Sequence, residues 1–223
     1  VPAPGWALTE TDARFPLELD SWPSLEAQLA AIADDIAYDN HDIDDGLRAG
    51  ILRLEELLDL PFVRKLWHAI EQRHPGLDPV RKIKALVRDG IGTMVGDVLA
   101  ETGRRVSEAG VATVDEVRGF GSALVGFSAD LAAEERQLKQ FLYERLYNSP
   151  GLIPVRQEAQ RVISGLAAHY LDNPQALPAG WQRGGGELAR PRAIADYVAG
   201  MTDRFAIARH EELVGPVHLP DRF

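Results

Sequence analysis

Apolar residues recur every three to four positions from Leu25 to Leu47, which predicts a long amphipathic helix. Residues at this spacing lie on one side of an α-helix and form its core-facing stripe. The stripe consists of Leu25, Leu29, Ile32, Ile36, Ile43 and Leu47. Ser24 is suited to the N-cap position and Gly50 to the end of the helix. We therefore predict a helix that runs from residue 24 to about residue 48.

The same periodicity predicts further helices and no convincing strand. We expect these helices at about 53–58, 61–74, 79–105, 129–148, 153–172 and 191–213. The helix over 79–105 contains Gly90 and Gly92, which lower helix propensity but allow close packing. Prolines and the lack of a sustained period predict an extended arm over 1–22. The fold class is therefore all-α, with the helices lying within residues 23–223.

The connecting segments are predicted from their turn-forming residues. Residues 106–127 are expected to be mostly loop with a short turn. Residues 173–188 are rich in proline and glycine, with three consecutive glycines at 184–186, and are expected to form a surface loop.

A polar column follows the apolar stripe around the same predicted helix. Asp34, Tyr38, His41 or Asp42, and Asp45 are three or four residues apart and fall on the opposite side of the helix. A solvent-facing helix surface usually mixes lysine with glutamate, but this column contains no lysine. Carboxylates grouped with an aromatic residue and a histidine favour a site for a metal or a polar ligand. The neighbouring Asp35, Asp39, Asp44 and Asp45 are interpreted as solvated or capping residues.

Composition narrows the possible functions. The formal net charge is −10, which argues against a general nucleic-acid surface because phosphate binding needs a basic patch. The chain contains no cysteine, so thiolate metal sites are excluded. No run approaches the roughly 18 to 20 apolar residues of a membrane-spanning helix, and a cytoplasmic location is expected.

Two segments resemble the bacterial deoxyguanosinetriphosphate triphosphohydrolase family of the HD-domain superfamily. The first runs from Ser24 to Gly50 and includes Ala33-Asp34-Asp35-Ile36-Ala37-Tyr38. The second is Asp196-Tyr197-Val198-Ala199-Gly200-Met201-Thr202-Asp203-Arg204-Phe205-Ala206. The resemblance implies an HD-domain-like helical bundle, of which residues 23–223 would be the C-terminal part. It also implies hydrolysis of deoxynucleoside triphosphates (dNTPs) to a deoxynucleoside and tripolyphosphate.

The resemblance implies a divalent metal site in which Asp34 is the final ligand. Such sites use two His, one Asp and a final Asp, and these ligands suit Mn, Mg or another transition metal. No His precedes Asp34 in this chain, and the dipeptide His41-Asp42 is interpreted as a coincidental match. We therefore expect the remaining ligands in an N-terminal segment of the same protein. The sequence leaves the catalytic residues themselves unknown.

The resemblance also assigns substrate contacts. The tyrosine equivalent to Tyr38 packs beside the substrate, and the acid equivalent to Asp42 accepts a hydrogen bond from the sugar 3′-hydroxyl. A tyrosine against C2′ would leave no room for a ribose hydroxyl, which favours deoxyribose. His41 is open to two interpretations, a structural hydrogen bond or a contact with the substrate phosphates.

Three cations are candidates for binding the triphosphate. Arg81, Lys84 and Arg88 share one face of the helix predicted over 79–105. The family draws phosphate-binding residues from this region, and arginine can grip phosphate oxygens with two hydrogen bonds. A solvated basic face is the alternative interpretation.

Two functions of different classes follow. The first is a metal-dependent dNTP triphosphohydrolase, for which the family implies a homo-oligomer and, in some members, a dNTP effector. The second is a non-catalytic helical module that binds nucleotide or forms an oligomer interface, since this chain contains only one expected metal ligand. We expect the isolated 223 residues to be inactive under either hypothesis.

Overall fold

The computed structural model describes residues 5–182 and 189–218, and these residues form helices and turns without a strand. The prediction of an all-α fold is confirmed. Gly184–Gly186 lie outside the described residues. In the described part of the chain the α-helices are α1 (Trp6–Arg14), α2 (Leu25–Arg48), α3 (Leu54–Leu57), α4 (Pro61–Arg73), α5 (Pro79–Ala109), α6 (Val114–Gly119), α7 (Ala129–Leu142), α8 (Leu152–Asp172), α9 (Ala189–Ala199) and α10 (Asp203–Leu213).

The chain forms two compact units, Val1–Tyr147 and Asn148–Phe223. The helical region predicted over 23–223 spans both units. In the first unit, α2 packs against α5 and α7, and α4 packs against α5 and α7. In the second unit, α8 packs against α9 and α10.

The bounds of α2 follow from its sequence as predicted. The hydroxyl of Ser24 accepts a hydrogen bond from the Ala27 backbone N–H at 3.4 Å and so caps the first turn. At the other end Gly50 adopts a φ of 68°, a left-handed conformation that glycine accepts without steric cost. Ile36 and Ile43 are buried in the core, and the other four residues of the apolar stripe pack against it half-buried.

Helix α5 crosses α2 where a glycine meets a buried asparagine. Asn40 is 1% exposed and donates a hydrogen bond to the Ile36 carbonyl oxygen at 2.8 Å. The same amide lies 3.3 Å from the sulfur of Met94 on α5. A Cβ atom at Gly90 would overlap the Asn40 side-chain oxygen, whereas nothing lies within 4 Å of a Cβ at Gly92. Close packing therefore requires glycine at position 90 and not at position 92.

This difference predicts opposite effects for two alanine substitutions in α5. Gly90→Ala is expected to lower the free energy of unfolding by about 1 to 3 kcal/mol, because Asn40 must move within a packed core. Gly92→Ala is the matched control and is expected to raise it by up to about 1 kcal/mol, since alanine favours the helix. Urea denaturation of both variants measures the two values. Equal effects at the two positions would contradict the assigned crossing.

The core of the second unit is built around Tyr170 and His210, both of which are fully buried. The Nδ1 atom of His210 lies 2.9 Å from the Gly215 carbonyl oxygen. A Cβ atom at Gly165 would lie 2.7 Å from His210 Nε2, so glycine allows α8 to approach α10. Tyr197 packs edge-on against Tyr170, with ring centroids 5.6 Å apart.

Three regions of the first unit differ from the sequence predictions. The arm predicted as extended over 1–22 contains α1, which lies between Gly5 and Phe15. The region predicted as mostly loop over 106–127 begins inside α5 and contains the capped helix α6. The helix predicted over 129–148 is α-helical only as far as Leu142, and a π-helical turn, Tyr143–Tyr147, follows it directly.

The last predicted helix, over 191–213, is two helices. Helix α9 ends at Ala199, and α10 begins after Thr202, whose hydroxyl accepts a hydrogen bond from the Phe205 N–H at 3.3 Å. The Met201 N–H donates to the Val198 carbonyl oxygen and closes a turn between the helices. The loop predicted over 173–188 contains, in its described part, two short 3-10 helices, Pro174–Ala176 and Ala179–Trp181.

Candidate functional site

One face of α2 carries the four residues of this helix that were predicted to bind a metal or the substrate. These residues are Asp34, Tyr38, His41 and Asp42. Each residue of an α-helix is rotated by about 100° from the one before it, and at this rotation all four side chains fall within an arc of about 100° around the helix axis. Tyr38 is 61% exposed, Asp34 and His41 are exposed, and Asp42 is half-buried. Asn40, which contacts α5, is rotated by about 100° to 160° around the α2 axis from each of these four residues. The candidate surface therefore points away from α5.

Asp42 has a hydrogen-bond partner that the sequence analysis missed. The Tyr147 hydroxyl, at the end of the π-helical turn, donates to the Asp42 carboxylate. This hydrogen bond is the main reason that the pKa of Tyr147 is raised to about 12, so the hydroxyl keeps its proton at neutral pH. The two residues are 105 positions apart in sequence, and no local pattern pairs them. Tyr147 therefore holds the Asp42 carboxylate at the edge of the exposed face.

Asp34 is an exposed carboxylate on this face, about 16 Å along the helix axis from the exposed Asp45. Among the described residues it makes no hydrogen bond or ion pair, so its oxygens are free to bind a ligand. The described part of the chain contains no group of three or more His, Cys, Asp or Glu side chains arranged to hold a metal ion. One carboxylate fits one position of a divalent-metal site but does not make such a site alone.

Asp39 was predicted to be a solvated or capping residue, and the structure shows that this prediction is wrong. It is only 4% exposed, and its Oδ2 atom has no hydrogen-bond partner among the described residues. Burial raises its pKa to about 7; the Lys139 cation opposes this rise, and nearby carboxylates, led by Glu135, add to it. Lys139 lies 2.6 Å from Glu135 on α7 and 3.1 Å from Asp35 on α2. These contacts show that α7 packs over this part of α2, and this packing buries Asp39.

The three cations predicted to bind phosphate line one cavity. The cavity has a volume of about 420 Å³. It is lined by His74, Leu77, Arg81, Lys84, Ala85 and Arg88. Arg81 lies 3.3 Å from Asp78 and Arg88 lies 3.1 Å from Asp89, whereas Lys84 has no ion-pair partner among the described residues. The basic face therefore includes a concave surface.

The structure does not bring this cavity to the exposed face of α2. Arg81, Lys84 and Arg88 lie roughly 120° to 180° around α5 from Gly90, the residue that contacts α2. The basic side chains therefore project from the side of α5 opposite its contact with α2. The face that carries Asp34 projects from the side of α2 opposite the same contact. The two candidate surfaces are consequently separated by the α2–α5 layer.

Across residues 5–182 and 189–218, no helix is both long enough and apolar enough to cross a membrane.

Residues 125–212 match the family described as the phosphohydrolase-associated domain. This match covers α7 to α10, including Tyr147 but not α2. This part of the chain is therefore similar to a domain that is associated with phosphohydrolases.

Curated relatives extend the similarity to α2. The chain is 42% identical over 214 residues to a deoxyguanosinetriphosphate triphosphohydrolase-like protein of Caulobacter sp. (strain K31), covering 94% of this chain and 54% of the relative. It is 43% identical over 207 residues to a protein of the same name from Bradyrhizobium sp. (strain ORS 278), covering 92% of this chain and 53% of the relative. A relative of that name from Brucella anthropi is 43% identical over 224 residues, covering 99% of this chain and 54% of the relative.

The chain belongs to the family of deoxyguanosinetriphosphate triphosphohydrolase-like proteins, as the resemblance of the two sequence segments indicated. It spans about half the length of the curated relatives that it matches. This assignment places it in a phosphohydrolase family.

Proposed function

We propose that the protein containing this chain hydrolyses deoxynucleoside triphosphates to a deoxynucleoside and tripolyphosphate. The observation that carries the proposal is the identity of 42% to 43% with triphosphohydrolase-like relatives over at least 92% of the chain. The exposed face of α2 supports it, because Asp34, Tyr38 and Asp42 follow one another at four-residue intervals on one helix surface.

Tyr38 and Asp42 bind the deoxyribose in this proposal. The Asp42 carboxylate accepts a hydrogen bond from the 3′-hydroxyl, while Tyr147 holds this carboxylate through its own hydrogen bond. The exposed ring of Tyr38 packs against C2′ and excludes a ribose hydroxyl. A sugar contact of this kind discriminates by shape, because an added 2′-hydroxyl would clash with the tyrosine ring.

Asp34 contributes one ligand to a divalent metal, and the other ligands come from parts of the protein outside this chain. A bound metal would polarise the α-phosphate and activate a water molecule for attack on phosphorus. His41 lies on the same face, about one helical turn from Tyr38, and donates a hydrogen bond to a phosphate oxygen. These roles use the exposed face of α2 and make no use of the basic cavity on α5.

The product pattern tests the proposed reaction. The longest natural protein that contains this chain is incubated with Mn²⁺ and either the four dNTPs or the four ribonucleotides. We expect equimolar deoxynucleoside and tripolyphosphate from dNTPs and much slower turnover of ribonucleotides. Release of phosphate or pyrophosphate instead would mean that a different bond is cleaved. If no nucleotide is hydrolysed, the proposal fails and a non-catalytic nucleotide-binding module becomes the better hypothesis.

A further inference from the structure

We infer that the basic cavity on α5 is a separate binding site for the linked phosphate groups of a small anion. The cavity is concave, with a volume of about 420 Å³, and three of its six lining residues are cations. It lies across the α2–α5 layer from the exposed face that carries Asp34. A single substrate bound at the Asp34 face therefore does not reach it.

The arrangement of the cations fits a chain of phosphates better than a single charge. Arg81, Lys84 and Arg88 occupy successive turns of α5 over about 10.5 Å of helix axis, since each residue rises 1.5 Å. Their long side chains can converge over the cavity, and the two guanidinium groups can each bind two phosphate oxygens. Lys84 adds a positive charge that no carboxylate of the described chain neutralises.

The walls of the cavity add to this preference for anions. The N-terminus of α5 lies beside Arg81, and the positive end of the helix dipole contributes there. Leu77 and the buried Ala85 provide an apolar floor beneath the cations. His74, which directly follows α4, also lines the cavity and can donate a further hydrogen bond.

Two local carboxylates limit the positive charge but leave it in excess. Asp78 accepts a hydrogen bond from the Arg81 N–H at 3.1 Å as the N-cap of α5, so its position is fixed by the helix end. Asp89 is shared between Arg88 and Arg73 of α4. Arg88 therefore competes with a second cation for the same carboxylate and can turn part of its guanidinium to a ligand.

Titration with inorganic tripolyphosphate tests the site without turnover. The 223-residue chain is titrated by calorimetry at low ionic strength in the absence of metal. The double variant Lys84→Gln/Arg88→Gln is expected to bind at least about tenfold more weakly, because hydrogen bonds between charged groups are lost. Both side chains are exposed, and Asp89 retains Arg73, so the variant is expected to fold.

The matched control is the double variant Arg64→Gln/Arg136→Gln. It removes two exposed cations of the same unit that do not line the cavity. It is expected to change the affinity by less than about twofold. Absence of tripolyphosphate binding, or an equal loss in both double variants, would overturn the inference. A loss of tripolyphosphate affinity in the Lys84→Gln/Arg88→Gln variant, but not in the control variant, would support the inference.

Two further titrations identify the source of the phosphates. If dGTP binds about as tightly as tripolyphosphate, the site recognises polyphosphate alone; much tighter binding of dGTP identifies a nucleotide. In either case the cavity variant must lose this affinity, or the inference fails. Tyr38→Ala is expected to leave tripolyphosphate affinity unchanged, because Tyr38 does not line the cavity. Binding at the cavity can therefore be tested independently of the proposed hydrolysis.

Discussion

Replacing Asp34 by alanine is expected to lower dNTP hydrolysis by at least about 10³-fold in the longest natural protein that contains this chain. Asp34 is an exposed carboxylate without a partner among the described residues, so its replacement removes a proposed metal ligand rather than a structural contact. A metal ion supplies several kcal/mol of transition-state stabilisation, which corresponds to this factor. The measurement is tripolyphosphate release with Mn²⁺, together with metal content by elemental analysis.

Asp44→Ala is the matched control, because it removes a carboxylate from the same helix. Asp44 lies ten residues from Asp34, about 15 Å along the helix axis, and pairs with Arg48 at 3.0 Å. Loss of such a surface ion pair costs less than about 1 kcal/mol, and activity is expected to stay within about twofold. Unchanged metal content and hydrolysis in the Asp34→Ala variant would show that the ligand assignment is wrong.

Helix α2 could be predicted from its sequence because its determinants are local. The Ser24 cap, the apolar stripe and the Gly50 terminus all act within a few residues of their positions. The polar face could be predicted for the same reason, since helical spacing alone places Asp34 and Tyr38 together. The metal role of Asp34 and the sugar roles of Tyr38 and Asp42 remain predictions.

The features that were missed depend on contacts between distant residues or on short turns. Tyr147 reaches Asp42 from 105 residues away, and α7 buries Asp39 from nearly as far along the chain. The break between α9 and α10 has a local signal in Thr202. That signal was missed because apolar residues continue on both sides of the turn.

Helical spacing alone could not predict where the basic cavity lies relative to Asp34. The sequence predicted that Arg81, Lys84 and Arg88 share a face, and they do line one cavity. Their position relative to Asp34 depends on which side of α5 packs against α2. The Gly90–Asn40 contact fixes that side, and only the fold reveals it.

Replacing Asp39 by asparagine is expected to stabilise the protein at pH 8 and to have little effect at pH 4. The pKa of Asp39 rises from its ordinary 3.8 to about 7 in the folded protein, mainly because burial disfavours its charge. Between these values the folded protein binds more protons than the unfolded chain, so the contribution of Asp39 to stability falls as pH rises. The full penalty above pH 7 is at most about 4 kcal/mol, since one pKa unit corresponds to about 1.4 kcal/mol.

Urea denaturation of the 223-residue chain at pH 4 and pH 8 measures this difference. Asparagine has nearly the same shape as aspartate and carries no charge to desolvate. Asp45→Asn provides the control, because it changes an exposed carboxylate of the same helix and is expected to shift stability by less than about 0.5 kcal/mol at either pH. If Asp39→Asn were less stable than the unsubstituted chain at pH 8, the buried carboxylate would be a stabilising partner of Lys139 rather than a desolvated charge. In that event the α2–α7 contact would depend on a charged network, and lowering the pH would weaken it instead of strengthening it.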